Sequence, residues 1–137
     1  MLDEIKKCFE LEGDAPNSYS PLTLAFIGDS VFGMIVKSAV VLSGNCPAND
    51  LDKKAVKYVK ATAQAKMADF LLEEKVLTEE EENIYRRGRN AKSPSTAKNA
   101  SVGDYRKATG LEALIGYLYL QGNEKRCIEL IKSGMEV

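Results

Sequence analysis

The sequence predicts an all-α fold in a single domain over residues 1–137, and three observations carry that prediction. Apolar residues recur at helical spacing through most of the chain, and no segment shows the strict alternation of a half-buried strand. Helix-start signals precede four of the periodic segments. Last, 137 residues with 45% hydrophobic and 28% charged side chains give one domain an ordinary core and an ordinary surface.

The elements follow in order. Ser20 then Pro21 is an N-cap with proline at the first helical position, opening a helix that runs to Gly44. Residues 45–47 make a turn, and Asn49 or Asp50 caps a second helix. In that helix Leu51, Ala55, Tyr58, Val59, Thr62, Ala65, Phe70 and Leu71 form the inner face and lysines the outer one. Thr78 with Glu81 is a capping box for EEEENIYRRGR, whose acids at the start and bases at the end suit the helix dipole. Ser101 with Asp104 resembles a weaker box opening the helix that carries Glu112, and a short helix over 123–133 closes the chain.

Two acids stand apart from this pattern. Asp29 is the only charged residue in 21–36, and Glu112 the only one in 109–122. A helix apolar all round is expected to be buried, and an ionised carboxylate there costs several kcal/mol unless it is paired or holds a metal. Lys37, Lys54 or Arg106 could supply an ordinary core ion pair. The matching contexts Gly-Asp-Ser-Val-Phe-Gly and Gly-Leu-Glu-Ala-Leu-Ile-Gly favour instead one shared site, with small residues that let a helix, a cation or a phosphate come close.

Composition narrows the chemistry. With no histidine there is no Ser-His triad, no Cys-His pair and no His-ligated zinc or iron. Carboxylates with a hard cation such as Mg²⁺ are what remains to an enzyme. Cys8, Cys46 and Cys127 are odd in number and lack C-x-x-C spacing, which points to reduced cysteines in a cytoplasm. MLDEIKKCFE has no apolar signal core. Residues 21–44 are long enough to span a bilayer, but an acid near the centre costs about 2.5–3.5 kcal/mol, so a membrane span is not expected.

The net charge of −1 hides an asymmetry. Residues 86–107 hold seven bases (Arg86, Arg87, Arg89, Lys92, Lys98, Arg106, Lys107) against Asp104 alone, a net of +6, so the rest carries −7. Within this stretch NAKSPSTAKNAS reads as a long polar loop flanked by bases. It is either a solvated connector or a segment built to follow a phosphate backbone.

LAFIGDSVFGMIV resembles the signature helix of ribonuclease III, and GLEALIGYLYL resembles that family's second catalytic segment. RRGRNAKS, then KN, then YRKATGLEALIGYLYL, with no double-stranded-RNA-binding domain after it, is similar more narrowly to the bacterial Mini-ribonuclease III group. The resemblance implies a single helical endonuclease domain, homodimeric and Mg²⁺-dependent. Such an enzyme cuts both strands of an RNA duplex, leaves 5′-phosphate and 3′-hydroxyl ends, and matures 23S ribosomal RNA precursor in the cytoplasm. It makes Asp29 and Glu112 the metal-binding and catalytic acids. Two further acids of full-length ribonuclease III are replaced by Ala25 and Thr109. The threonine is typical of the narrower group, and the departures leave a second metal without a full protein ligand set. Thr109, one turn before Glu112 on the same face, is placed to hold an outer-shell water. The seven bases of 86–107 are the expected RNA contacts.

Two other functions fit parts of the sequence. A non-catalytic RNA-binding or ribosome-assembly protein would use the basic segment alone, but gains nothing from isolated carboxylates. A helical metal-dependent phosphohydrolase acting on nucleotides would use the acids, but has no need of a long basic loop.

Overall fold

Helix α6 (Val102–Leu120) is the axis of the molecule: from Ala108 to Tyr119 every residue but Glu112 is buried. The computed structural model describes residues 1–92 and 100–137, so Lys98 and most of the 90–101 loop lie outside the described residues. Around α6 pack α2 (Pro21–Ser43), α4 (Ala61–Glu73), α5 (Glu79–Asn90) and α7 (Glu124–Met135), with α3 (Ala48–Val59) against α2. A first helix, α1 (Leu2–Phe9), buries none of its residues, and a 3₁₀ turn (Pro16–Ser18) follows it. The described residues hold seven α-helices and no strand, in agreement with the sequence.

The cap signals act as expected. Ser20 Oγ accepts from the Thr23 N–H at 3.2 Å, Ser101 Oγ from Asp104 N–H at 3.0 Å, and Thr78 forms both arms of its capping box with Glu81. Glu81 is then recruited into the interior. Only 6% exposed, it receives Arg126 Nε and Nη2 at 2.9 and 2.8 Å, while Nη2 also bonds the Val76 carbonyl. This fork ties α5 to α7. Burial pushes the Glu81 pKa up, but Arg126 and the Thr78 contacts together outweigh it and hold the carboxyl below its usual value.

Two expectations change. Residues from Asn49 to Leu71 do not form one helix: the chain breaks at Lys60, whose extended backbone (φ −68°, ψ 151°) ends α3 and starts α4. The break lets α3 follow α2 while α4 turns onto α6 and α7, and the Gln64 side chain takes up the Val59 carbonyl left at the end of α3. The cap before α3 is Pro47, not Asn49 or Asp50.

Helix α2 is also not buried all round. Leu24, Ala25, Gly28, Phe32, Val36 and Val40, four apart or nearly so, face the core. Phe26, Met34, Val41 and Leu42 face outward, Phe26 at 79% and Leu42 at 85% exposure. Its length and composition would suffice to cross a membrane, yet it lies along α6 as a one-sided core helix.

Candidate active site

The site forms where α2 and α6 come closest, and glycines set that distance. A Cβ on Gly28 would run into the Glu112 carbonyl, and one on Gly116 into the Leu24 carbonyl. Backbone therefore packs on backbone, and Asp29, next to Gly28, is carried to the side of Glu112. The two acids isolated in sequence share one place, as their contexts suggested. Asp29 is not in the interior, however: it lies on the exposed side of α2, at an open groove of about 780 Å³ that Ser30, Lys37, Ser38 and Val59 also line.

Glu112 is partly buried, and its pKa is pushed up to about 8. Burial is the main cause, followed by a hydrogen bond with Asp29 and the Asp29 charge, while a hydrogen bond from Gln64 opposes them. Among the described residues neither acid is in an ion pair, so Lys37, Lys54 and Arg106 do not fill the core role open to them in the sequence. The pair thus holds negative charge that its protein surroundings do not balance. A divalent cation would reverse that penalty. No third His, Cys, Asp or Glu joins the cluster among the described residues. Two carboxylates with the remaining positions left to water is how Mg²⁺ is commonly held, so the residues present fit that ion.

Thr109 is 7% exposed, and its hydroxyl donates to the Tyr105 carbonyl at 3.0 Å, leaving only its lone pairs for a neighbouring water. The basic residues divide. Arg87, Lys92 and Arg106 are exposed with no ion pair among the described residues. Arg86 pairs with Glu82 at 2.9 Å and Lys107 with Asp69 at 2.9 Å, both at the surface, where such pairs exchange readily for phosphate. Arg89 bonds Asn90 and sits 6.0 Å over the Tyr85 ring.

Two features escaped sequence reading. Between Lys53 and Lys66 there are five lysines and no acid, a second basic run hidden by treating each lysine as helix surface. All five are exposed, and Lys57, Lys60 and Lys66 border one cleft of about 260 Å³ at the α3–α4 break. The other is Gln64, 2% exposed, whose signal was a lone amide among alanines on the inner face of α4.

All-helical packing with a carboxylate from each of two closely crossed helices defines the class. The ribonuclease III domain family matches residues 22–123, and the chain belongs to the ribonuclease III family, whose activity is endoribonucleolytic. Within that family its relatives are Mini-ribonuclease 3 proteins. That of Thermoanaerobacter sp. (strain X514) is 48% identical, covering 88% of this chain and 83% of its own. That of Brevibacillus brevis is 47% identical, covering 89% and 90%. Among solved structures, a crystal structure of a Fusobacterium nucleatum protein superposes with a TM-score of 0.78 at 27% identity, over 90% of this chain and 98% of that one.

Proposed function

We propose that the chain is a Mg²⁺-dependent endoribonuclease that cuts both strands of an RNA duplex, leaving 5′-phosphate ends, and that it matures 23S ribosomal RNA precursor in the cytoplasm. The single observation that carries the proposal is the Asp29–Glu112 pair, two carboxylates brought together with no ion-pair partner among the described residues. A bound Mg²⁺ supplies charge neutralisation at the scissile phosphate and a more acidic water. Asp29 and Glu112 hold and orient it. The exposed bases Arg87, Lys92 and Arg106, with Arg86, Arg89, Lys107 and Lys98, position the phosphate backbone. Phe26, Met34, Val41 and Leu42, apolar and uncovered on α2, support a homodimer, which would set two such sites on one duplex, one for each strand. Free thiols at Cys8, Cys46 and Cys127 accord with a reducing compartment.

The test is incubation of a long RNA duplex with the full chain, with Mg²⁺ or with a chelator. Cleavage of both strands in Mg²⁺ alone, lost in Asp29→Asn, is expected. An intact duplex in Mg²⁺, or equal cleavage by Asp29→Asn, would refute the proposal.

A further inference from the structure

Gln64 is one of three buried polar or charged side chains among the described residues, and neither RNA binding nor metal ligation calls for it directly. Its Nε2 donates to the Val59 carbonyl at 2.9 Å. The same amide acts on the Glu112 carboxylate as a donor. Turning the amide over would set Oε1 against two acceptors, the Val59 carbonyl and the Glu112 carboxylate, so the donor side must face them. Oε1 is then left buried with no hydrogen-bond partner among the described residues. Buried amide oxygens are rarely orphaned, so keeping the nitrogen on Val59 and Glu112 comes at the cost of an unmade hydrogen bond.

We propose that Gln64 is the positioning residue of the acid pair: its nitrogen, anchored on the Val59 carbonyl, fixes the Glu112 carboxylate against the α3–α4 break, beside the groove that Asp29 and Val59 line. This rests on the reading of Asp29 and Glu112 as the Mg²⁺ ligands. The break at Lys60 gains a purpose by it. Were α3 and α4 one helix, Val59 would spend its carbonyl on the helical ladder and Gln64 would have no second anchor. With its nitrogen donating to both groups, Gln64 cannot swing away from Glu112 without giving up the Val59 bond. Outer partners of this kind commonly change metal affinity about 10–100-fold when removed.

The experiment is calorimetric titration of Mn²⁺ into the full chain without RNA, together with the metal-free unfolding temperature, for the wild type and Asp29→Asn, Gln64→Met and Gln64→Glu. Gln64→Met keeps the volume and loses both hydrogen-bonding ends, and its Mn²⁺ affinity is expected to fall about tenfold or more. Gln64→Glu keeps the shape and adds a third carboxylate, and is expected to bind Mn²⁺ more tightly than wild type, which keeps the test open if the Met variant fails to fold. A helix strap with no part in the site lowers the unfolding temperature and leaves Mn²⁺ affinity unchanged in both variants, and that result overturns the inference. Asp29→Asn separates the two levels. If it abolishes Mn²⁺ binding while the Gln64 variants match wild type, only the role of Gln64 is lost. If Asp29→Asn binds Mn²⁺ like wild type, the site itself is misassigned and both fall.

Discussion

Glu81 and Glu112 both lie out of full contact with water, and their surroundings treat them oppositely. Glu81 is deeply buried, yet a guanidinium fork from Arg126 and its own capping box hold it ionised, with its pKa below the usual value. Glu112 has no cation beside it among the described residues, and burial first, then the neighbouring Asp29, push its pKa up to about 8 against one amide that opposes them. Of these two carboxylates the fold pairs the first with a cation and leaves the second without one among the described residues. The carboxylate left unbalanced is the one beside the groove, and the contrast separates a structural acid from one kept for a cation.

The largest effect expected from this contrast is on turnover. Glu112→Gln and Asp29→Asn should each reduce duplex cleavage by about a thousandfold or more, and the double variant should add little, because residues that act as one unit are not additive. Glu81→Gln, corrected for the folded fraction, should cleave normally. Single-turnover rates on one duplex measure all four.

Stability should show the reverse. Removing Glu81 leaves Arg126 half-buried with one partner fewer, so Glu81→Ala should cost about 3–5 kcal/mol in denaturant unfolding. Glu112→Gln relieves a like-charge contact and should match or exceed the metal-free wild type. A stability loss in Glu112→Gln equal to that in Glu81→Ala would erase the distinction between them.

Acid and base should separate the pair further. A lowered folded pKa means that the Glu81 contribution is present above about pH 4.5 and fades as pH falls through its folded value. A raised one means that the Glu112 contribution is present below about pH 4.5 and is lost as pH rises towards about 8. The unfolding midpoint of metal-free Glu112→Gln should therefore vary less with pH across that interval than the wild type, and Glu81→Gln should differ from it mainly at the acid end.

The smallest effect expected is at the surface. Changing Arg87, Lys92 or Arg106 to Ala should reduce the slope of log affinity against log salt by about 0.7–0.9 for each phosphate no longer neutralised, measured on an Asp29→Asn background so that RNA stays intact. The same changes among Lys57, Lys60 and Lys66 show whether the second basic run shares the load; an unchanged slope would confine the RNA to the first.

Much of the fold and the acid pair was legible in the chain because the signals were local. Ser20-Pro21, Thr78 with Glu81 and Ser101 each act within one helical turn, and all three caps form. Asp29 and Glu112 could be paired on context because Gly28 and Gly116, which bring their helices together, stand within the same motifs. What was hidden depends on the third dimension. The exposure of Asp29 was hidden because an apolar sequence does not say which face lacks a neighbour, and α2 leaves Phe26 and Leu42 uncovered. The break at Lys60 has no proline or glycine to announce it and follows from packing α3 and α4 on different partners. Arg126 gave no sign of reaching Glu81, forty-five residues away.

The most direct measurement is carbon-13 NMR titration of the Glu81 and Glu112 side-chain carboxyls in the full chain, without and with Mg²⁺. In metal-free protein Glu112 should titrate near 8 and Glu81 below 4.5; adding Mg²⁺ should drive the Glu112 value down and leave Glu81 where it is. Two glutamates that titrate alike, or a Glu112 that Mg²⁺ does not move, would contradict the account.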